Sequence, residues 1–267
     1  MGRPRPVGSK FVSLTLCLCT GQLLFLGGWY KGSRQRTVRF CSPSMPEVRL
    51  SYFEGYGLAE QTRWMMAAAN IEWEQVGLQH HEEFLNLRKE GKLLFGQLPL
   101  LEIDGLRLVQ SQAMMRYVAQ RGKLWGSTPE EAALIDMVAE GVKDARGVVV
   151  SYPFTPEKEM LAAEVPARTA KQLQPLEALV QKRPDGTLGF VASGLCAADV
   201  LLAELVEELL NIKSDSMAPY PMLGQLHKQV VALPSLRSYL DGPLRFPFPK
   251  GVVGEKYVQN VQTVLGR

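Results

Sequence analysis

The sequence predicts a mixed α/β domain followed by an all-helical one, and three observations carry that expectation. In "GQLPLLEIDGLRLVQS" the pair Asp104-Gly105 joins two apolar runs, a hairpin signal because both central residues of such a turn need positive φ. Upstream, a strand-like alternation is followed by a run that changes from helix formers to β-branched and aromatic residues, which makes β-α-β the economical arrangement. From Thr128 onward strand signals largely disappear and capped helical runs take over.

Each element follows in order. From Glu47 to Glu54, Val48, Leu50 and Tyr52 alternate with Arg49, Ser51 and Phe53, giving a strand with two usable faces. A Gly-x-Gly turn at Gly55-Tyr56-Gly57 leads into "AEQTRWMMAAANIEWEQVGL", a helix and then a strand. After the hairpin, "SQAMMRYVAQRG" opens on a Ser N-cap and ends in Gly, so it is a helix with both stops. The order is βαβ, then ββα. "TPEEAALIDMVAEGVKDARGVVVSY" has a Thr cap, Pro at the first helical position and acids in the first turn. "PEKEMLAAEVPARTAKQLQPLEALVQK" is expected to be helical but broken at Pro166 and Pro175. "LCAADVLLAELVEELLNI" is apolar on most sides and predicts a buried helix, and "EKYVQNVQTVLG" a short amphipathic terminal one. The domains span 46–126 and 128–267, joined near "QRGKLWGS".

Charge and cysteine are unevenly divided. The 267 residues are 46% hydrophobic and 21% charged, ordinary for a globular protein, with a net charge of +3. Residues 1–44 hold seven Lys/Arg and no Asp/Glu, leaving 23 Lys/Arg against 27 Asp/Glu beyond them, a net −4 that argues against nucleic acid. Cys17, Cys19 and Cys41 lie in the basic head and only Cys196 in the body, so no disulfide framework forms there and the body is cytoplasmic by composition. No Cys/His spacing suits a zinc site, and the adjacent His80-His81 pair is expected on a solvated face because its rings diverge.

Within the head, "FVSLTLCLCTGQLLFLGGWY" at residues 11–30 is uncharged and flanked by Lys10 and Lys31, long enough to span a bilayer and also close to a secretory or mitochondrial leader. Met45 precedes "PEVRLSYF", so a start there would yield a complete domain. Two expectations stand for residues 1–44: a dispensable extension, or a targeting or anchor segment.

The runs "YFEGYG…TRW", "FGQLPLLEIDGLRLVQSQA", "ALIDMVAEG" and the "AAD" opening the buried helix resemble the cytosolic glutathione transferases, most closely the alpha class, over nearly all of residues 47–267. The resemblance implies a thioredoxin-like domain that binds reduced glutathione as co-substrate, with no cofactor, and a helical domain with a C-terminal lid. In the matching positions, Gln110 and Ser111 at a helix start suit the γ-glutamyl carboxylate. Leu98-Pro99 resembles the family's cis-proline turn, where the Leu98 backbone pairs with the cysteinyl part of glutathione, with Gln97 beside it. Arg88 matches the cation that meets the glycyl carboxylate. Phe95 matches the aromatic key of a homodimer, and Asp144 the acid that reaches across to the ligand of the neighbouring subunit.

Chemically, a thiol with a pKa of about 8.5 is only a few per cent thiolate near neutral pH. The resemblance makes Tyr52 the hydroxyl that donates a hydrogen bond to the sulfur and favours its charged form. The family's Arg-Gly-Arg in this turn reads Tyr56-Gly57-Leu58 here, and losing a cation near sulfur is expected to raise the bound thiol's pKa by about 1–3 units. The family's subunit-crossing arginine is matched by Gln172, next to Lys171, and its Ser/Thr cap by Cys196, expected to be structural. The pocket for the second substrate matches Phe53, Val150, Ser151 and Phe154, with Val258, Val261 and Leu265 from the terminal helix. Mostly apolar, it suits unsaturated carbonyls, aryl halides and lipid peroxides. The expected activity is conjugation of glutathione to hydrophobic electrophiles. The alternatives are a low-activity hydrophobic-ligand-binding protein of the same fold and a glutathione-dependent isomerase or peroxidase.

Overall fold

A computed structural model describes residues 48–267. The expected extension over 1–44, its apolar run at 11–30 and the strand start at Glu47 lie outside the described residues. Among the described residues no helix is long and apolar enough to cross a membrane.

The sheet is built as the alternation predicts. Strand β1 (Arg49–Phe53) pairs in parallel with β2 (Glu74–Leu78) across helix α1 (Glu60–Ala68), which is entered through a 3-10 turn at Gly57–Ala59. On its other edge β1 pairs antiparallel with β3 (Leu100–Ile103), and β3 with β4 (Leu106–Val109), giving the order β2-β1-β3-β4. β1 is an inner strand, so Leu50, Ser51, Tyr52 and Phe53 are all buried. Asp104 and Gly105 turn the hairpin at φ 51° and 76°, as their sequence requires.

Helix α2 (His81–Lys89), between β2 and β3, was not evident in the sequence because Phe84 is its only buried side chain. Its start is fixed by the Glu83 carboxylate, which accepts the amides of Gln79 and His80. Helix α3 (Ser111–Arg121) corrects the expected cap: Ser111 is the first helical residue, and the cap position is Gln110 at φ 72°.

The helical half begins with α4 (Pro129–Ser151), where the Thr128 hydroxyl accepts the Glu131 amide. Helix α5 (Lys158–Leu179) runs unbroken through Pro166 and Pro175, against expectation. Each proline forfeits one backbone hydrogen bond, but Leu161, Val165, Leu173 and Leu176 are buried on a face packed against α4, and that burial outweighs the loss. A hairpin of two two-residue strands, β5 (Gln181–Lys182) and β6 (Leu188–Gly189), carries no signal in the sequence. It precedes the buried helix α6 (Ala197–Ile212), then α7 (Pro221–Val231), α8 (Pro234–Leu240) and α9 (Gly251–Leu265). Asp199 seals the start of α6, accepting the amides of Phe190 and Cys196 and the Arg183 guanidinium. Burial, then the Asp199 carboxylate, pushes the buried Cys196 thiol up, which suits a structural cysteine.

Candidate functional site

The Gly-x-Gly turn after β1 is held from both halves of the protein. Arg63, fully buried on α1, donates to the carbonyls of Gly55 and Tyr56 at 3.0 and 3.1 Å and pairs with Glu60 at 2.8 Å. Arg146, buried on α4, donates to the next carbonyl, that of Gly57, at 3.0 Å. Three successive turn carbonyls therefore accept from two buried guanidiniums. So fixed, the turn aims the Leu58 amide at the Tyr52 hydroxyl oxygen, 3.0 Å away. That oxygen is an acceptor in this bond, which leaves its own proton to donate.

Arg146 is itself held by α6. Glu208 takes bonds from its Nε and terminal nitrogen at 2.9 and 2.8 Å, and Glu204 one at 3.0 Å. Burial is the main force on Glu204 and, with Glu208 beside it, outweighs Arg146 and holds the carboxyl well above the usual range. Arg146 stays charged because the two glutamates outweigh its own burial. Tyr56, where the family resemblance has a cation, is buried in this cluster, and burial followed by Glu60 raises its phenol.

A cleft of about 550 Å³ opens beside the turn. It brings together Phe53, Leu58, Arg88, Gln97, Leu98 and Leu265, and the Leu98-Pro99 peptide on its wall is cis. Gln110, at the head of α3, has its amide nitrogen 3.5 Å from the Gln97 oxygen, and Ser111 is half-buried next to it. Asp144 is not in this cleft: it is exposed and lines a separate groove of about 290 Å³ with Lys171 and Gln172 between α4 and α5. Phe95, at the cleft's rim, is 61% exposed. A larger cleft of about 600 Å³, between residues 67–73 and α8, holds none of the expected site residues.

The expected second-substrate residues are spread over both faces of the junction. Val150 lines a narrow crevice with Gly57, Arg146 and Tyr257, whereas Ser151 is exposed and donates to its own helix at Val148. Phe154 is exposed on one side, with its ring 5.9 Å from that of Tyr257. On α9, Val261 is buried and Val258 and Leu265 half-buried, but the buried stripe is Gly254, Tyr257, Val261 and Val264.

Tyr257, which no motif in the sequence marks, packs directly against Tyr52. Its hydroxyl lies 3.3 Å from that of Tyr52, and its ring fills the space above Gly55, where a Cβ would come within 2.2 Å of Cδ2. Burial, then the neighbouring Tyr52, raises the Tyr257 phenol, so it is a neutral hydroxyl. Asn260 fastens the same helix, accepting the Glu54 amide and donating to the Leu78 carbonyl, each at 2.9 Å. His81, expected on a solvated face, instead meets the Val264 carbonyl through Nδ1 at 2.9 Å, because α9 covers the start of α2; His80 is exposed. Among the described residues no cluster of three or more His, Cys, Asp or Glu is arranged to hold a metal.

Both halves of the chain match known proteins. The family model for the glutathione S-transferase N-terminal domain matches residues 48–120, and that for the glutathione S-transferase C-terminal domain matches residues 143–242. The chain is 36% identical to rat glutathione S-transferase alpha-5 over 219 residues, 81% of this chain and 97% of the relative, and 36% identical to rat glutathione S-transferase alpha-3 over 72% and 87%. Among solved structures, a monomeric glutathione S-transferase of the hookworm Necator americanus superposes with a TM-score of 0.66 at 28% identity, covering 76% of this chain and all of that one. A Pi-class glutathione S-transferase of Onchocerca volvulus gives 0.63 at 25% identity over 73% and 92%.

Proposed function

Because the chain belongs to the glutathione S-transferase family, we propose that it activates the glutathione thiol through the Tyr52 hydroxyl and transfers it to hydrophobic electrophiles. It is a transferase that conjugates glutathione. The residue assignment rests on one observation above all. The Tyr52 oxygen is already engaged as an acceptor by the Leu58 amide, which leaves its own proton to donate, and Leu58 is a wall of the cleft that holds Arg88, Gln97 and Leu98. A hydroxyl so arranged favours a sulfur anion over a thiol.

The remaining parts follow from chemistry. Arg88 meets the glycyl carboxylate, the Leu98 backbone and Gln97 the cysteinyl part, and Gln110 and Ser111 at the head of α3 the γ-glutamyl carboxylate. Phe53 and Leu265 face the electrophile together with Val150, Ser151, Phe154, Val258 and Val261. No cofactor is required, since glutathione itself brings the nucleophile. The exposed apolar pair Leu94 and Phe95, 78% and 61% accessible, supports a homodimer with Phe95 as its key and Asp144 serving the partner's ligand. We assign the folded body, in two domains over 46–126 and 128–267, to the cytoplasm; the N-terminal residue of protein isolated from cells decides whether residues 1–44 redirect it.

The test is steady-state conjugation to an aryl halide by the full-length chain across pH 6–9, a window chosen around the thiol's pKa of about 8.5. Tyr52→Phe is expected to lower kcat/KM by about 10²-fold below the thiol's pKa; equality with wild type at every pH overturns the assignment. The reading as a weakly active ligand-binding protein draws on a separate observation, that Tyr52 is only 3% exposed beneath Tyr257. Tight binding of apolar ligands with turnover no faster than in solvent is its signature.

A further inference from the structure

We infer that Arg146, from the helical half, supplies the positive charge that Leu58 lacks, acting through the Gly57–Leu58 peptide on the Tyr52 hydroxyl. The inference rests on the proposed role of Tyr52 as the donor to sulfur.

Its basis is a series of three groups joined end to end. The Gly57 carbonyl and the Leu58 amide are the two ends of one trans peptide unit, so its oxygen and hydrogen point in opposite directions. Arg146 donates to the oxygen at 3.0 Å, and the amide donates to the Tyr52 oxygen at 3.0 Å. Hydrogen bonds in series polarise one another, by roughly 10–30% per bond. A guanidinium at the carbonyl end draws electron density from the amide, which makes its N–H a stronger donor. The Tyr52 oxygen then gives up density in turn, and its own O–H becomes a stronger donor to a sulfur anion.

The sign of the effect depends on what surrounds Arg146. On α6 it faces two carboxylates, which would leave that pair of helices net negative if both were ionised. Burial holds both carboxyls above the usual range, Glu204 well above it, and Glu208 is the one that meets Arg146 at two nitrogens. The Arg146–Glu208 pair therefore presents its positive end to the Gly57 carbonyl. Substitutions at Arg146 and Glu208 leave the other groups facing Tyr52 unchanged. Arg63, paired with Glu60 on α1, stands 6.0 Å from the centre of the Tyr52 ring. Tyr56 from the turn and Tyr257 from α9 are both buried phenols that stay neutral.

An Arg146 that merely ties α4 to the turn would, when removed, lower activity alike at all pH. A polarising Arg146 gives a loss confined to low pH. The experiment uses the full-length chain and follows the ultraviolet absorbance of bound glutathione thiolate against pH, alongside the acidic limb of kcat/KM. The charge-balanced variant Arg146→Met/Glu208→Gln is expected to raise the thiolate midpoint by about one pH unit, the low end for an opposite charge because it acts through a peptide. Below the midpoint kcat/KM falls about tenfold, and above it the two enzymes converge. Adding Leu58→Arg, which restores a cation in the turn itself, brings the midpoint back.

A midpoint equal to wild type, or a uniform loss at every pH, overturns the inference. Should that variant fail to fold, Glu208→Gln alone decides: removing one carboxylate strengthens the positive end and lowers the midpoint, whereas an unchanged or raised midpoint overturns it. Tyr52→Phe separates the two layers of the argument. If Tyr52→Phe leaves the midpoint where it was, the Tyr52 assignment fails and the relay with it. If Tyr52→Phe raises the midpoint and the Arg146 variant does not, the relay alone fails.

Discussion

The hydroxyl of Tyr257, on the last helix, lies 3.3 Å from the hydroxyl of Tyr52, on the first strand, and is buried with it. In the proposed mechanism Tyr52 is the donor in this contact, so that Tyr257 holds its proton until a thiol arrives, while the Tyr52 oxygen accepts the Leu58 amide. In that mechanism glutathione displaces the bond. Tyr257→Phe leaves the proton without a partner in the free enzyme and with one in the complex, a difference of about 0.5–1.5 kcal/mol. Isothermal calorimetry is expected to show glutathione binding about threefold to tenfold tighter. Equal or weaker binding would show that Tyr257 does not compete for the proton.

Helix α9 rests on a missing side chain. A Cβ at Gly55 would meet the Tyr257 ring at 2.2 Å, so Gly55→Val is expected to expel the helix while the sheet stays intact. Limited proteolysis should cut within 251–265 about tenfold faster than in wild type. Gly141→Ala, where nothing lies within 4 Å, serves as the comparison and is expected to stabilise slightly, by about 0.5–1 kcal/mol. Equal cleavage in Gly55→Val and wild type contradicts the steric argument.

Asp199 accepts two amides and a buried guanidinium at once. Asp199→Asn removes the charge opposite Arg183, whose side chain is 2% exposed. Breaking one side of a buried pair costs about 3–5 kcal/mol. At about 2–4 °C per kcal/mol for a chain of this size, the melting temperature should fall by roughly 10 °C. A fall of under about 2 °C would mean that Arg183 finds another partner.

Glu207 links His227 on α7 to Arg245 after α8, at 3.0 and 2.8 Å. The His227 bond first, and Arg245 with it, hold the Glu207 carboxyl at about 2 against a usual 4.5, in spite of its burial. A carboxyl depressed in the folded state stabilises fully above its unfolded pKa of about 4.3, and the contribution is lost as pH falls through the folded value. Glu207→Gln is therefore expected to be less stable at neutral pH by about 1–3 kcal/mol, with the gap from wild type closing as pH falls from about 4.5 toward 2. Urea midpoints at three pH values measure it, and a gap that stays constant on acidification refutes it.

What was legible in the sequence was local. Asp104-Gly105 announces its hairpin because the constraint is a backbone angle in two adjacent residues, and Thr128-Pro129 announces α4 because the cap bond spans three. Pro166 and Pro175 misled because their cost is local while the compensating burial against α4 is tertiary. Much of the candidate site came from resemblance, and its unforeseen parts are distant in sequence. Arg146 meets Glu208 across 62 residues and Gly57 across 89, and nothing in "VKDARGVVV" marks that arginine. Val258, Val261 and Leu265 caught the inward face of α9 only in part, since Tyr257 and Val264 sit one position away and point into the junction.

Asn260 joins the Glu54 amide to the Leu78 carbonyl, contacts that cross 206 and 182 residues of chain. Everything these bonds touch is synthesised long before the helix that makes them. A nascent chain can therefore fold its sheet and bury α6 while Tyr52 still lies open to solvent, and the enzyme gains its covered form only as a final, long-range step. A ribosome-stalled chain ending before Gly251 is expected to carry a folded core in which the Tyr52 side chain is reactive to phenol-directed labelling, and one released at full length to lose that reactivity. Maturation of the site is in this sense timed by translation, with the last turns of the protein acting on the first.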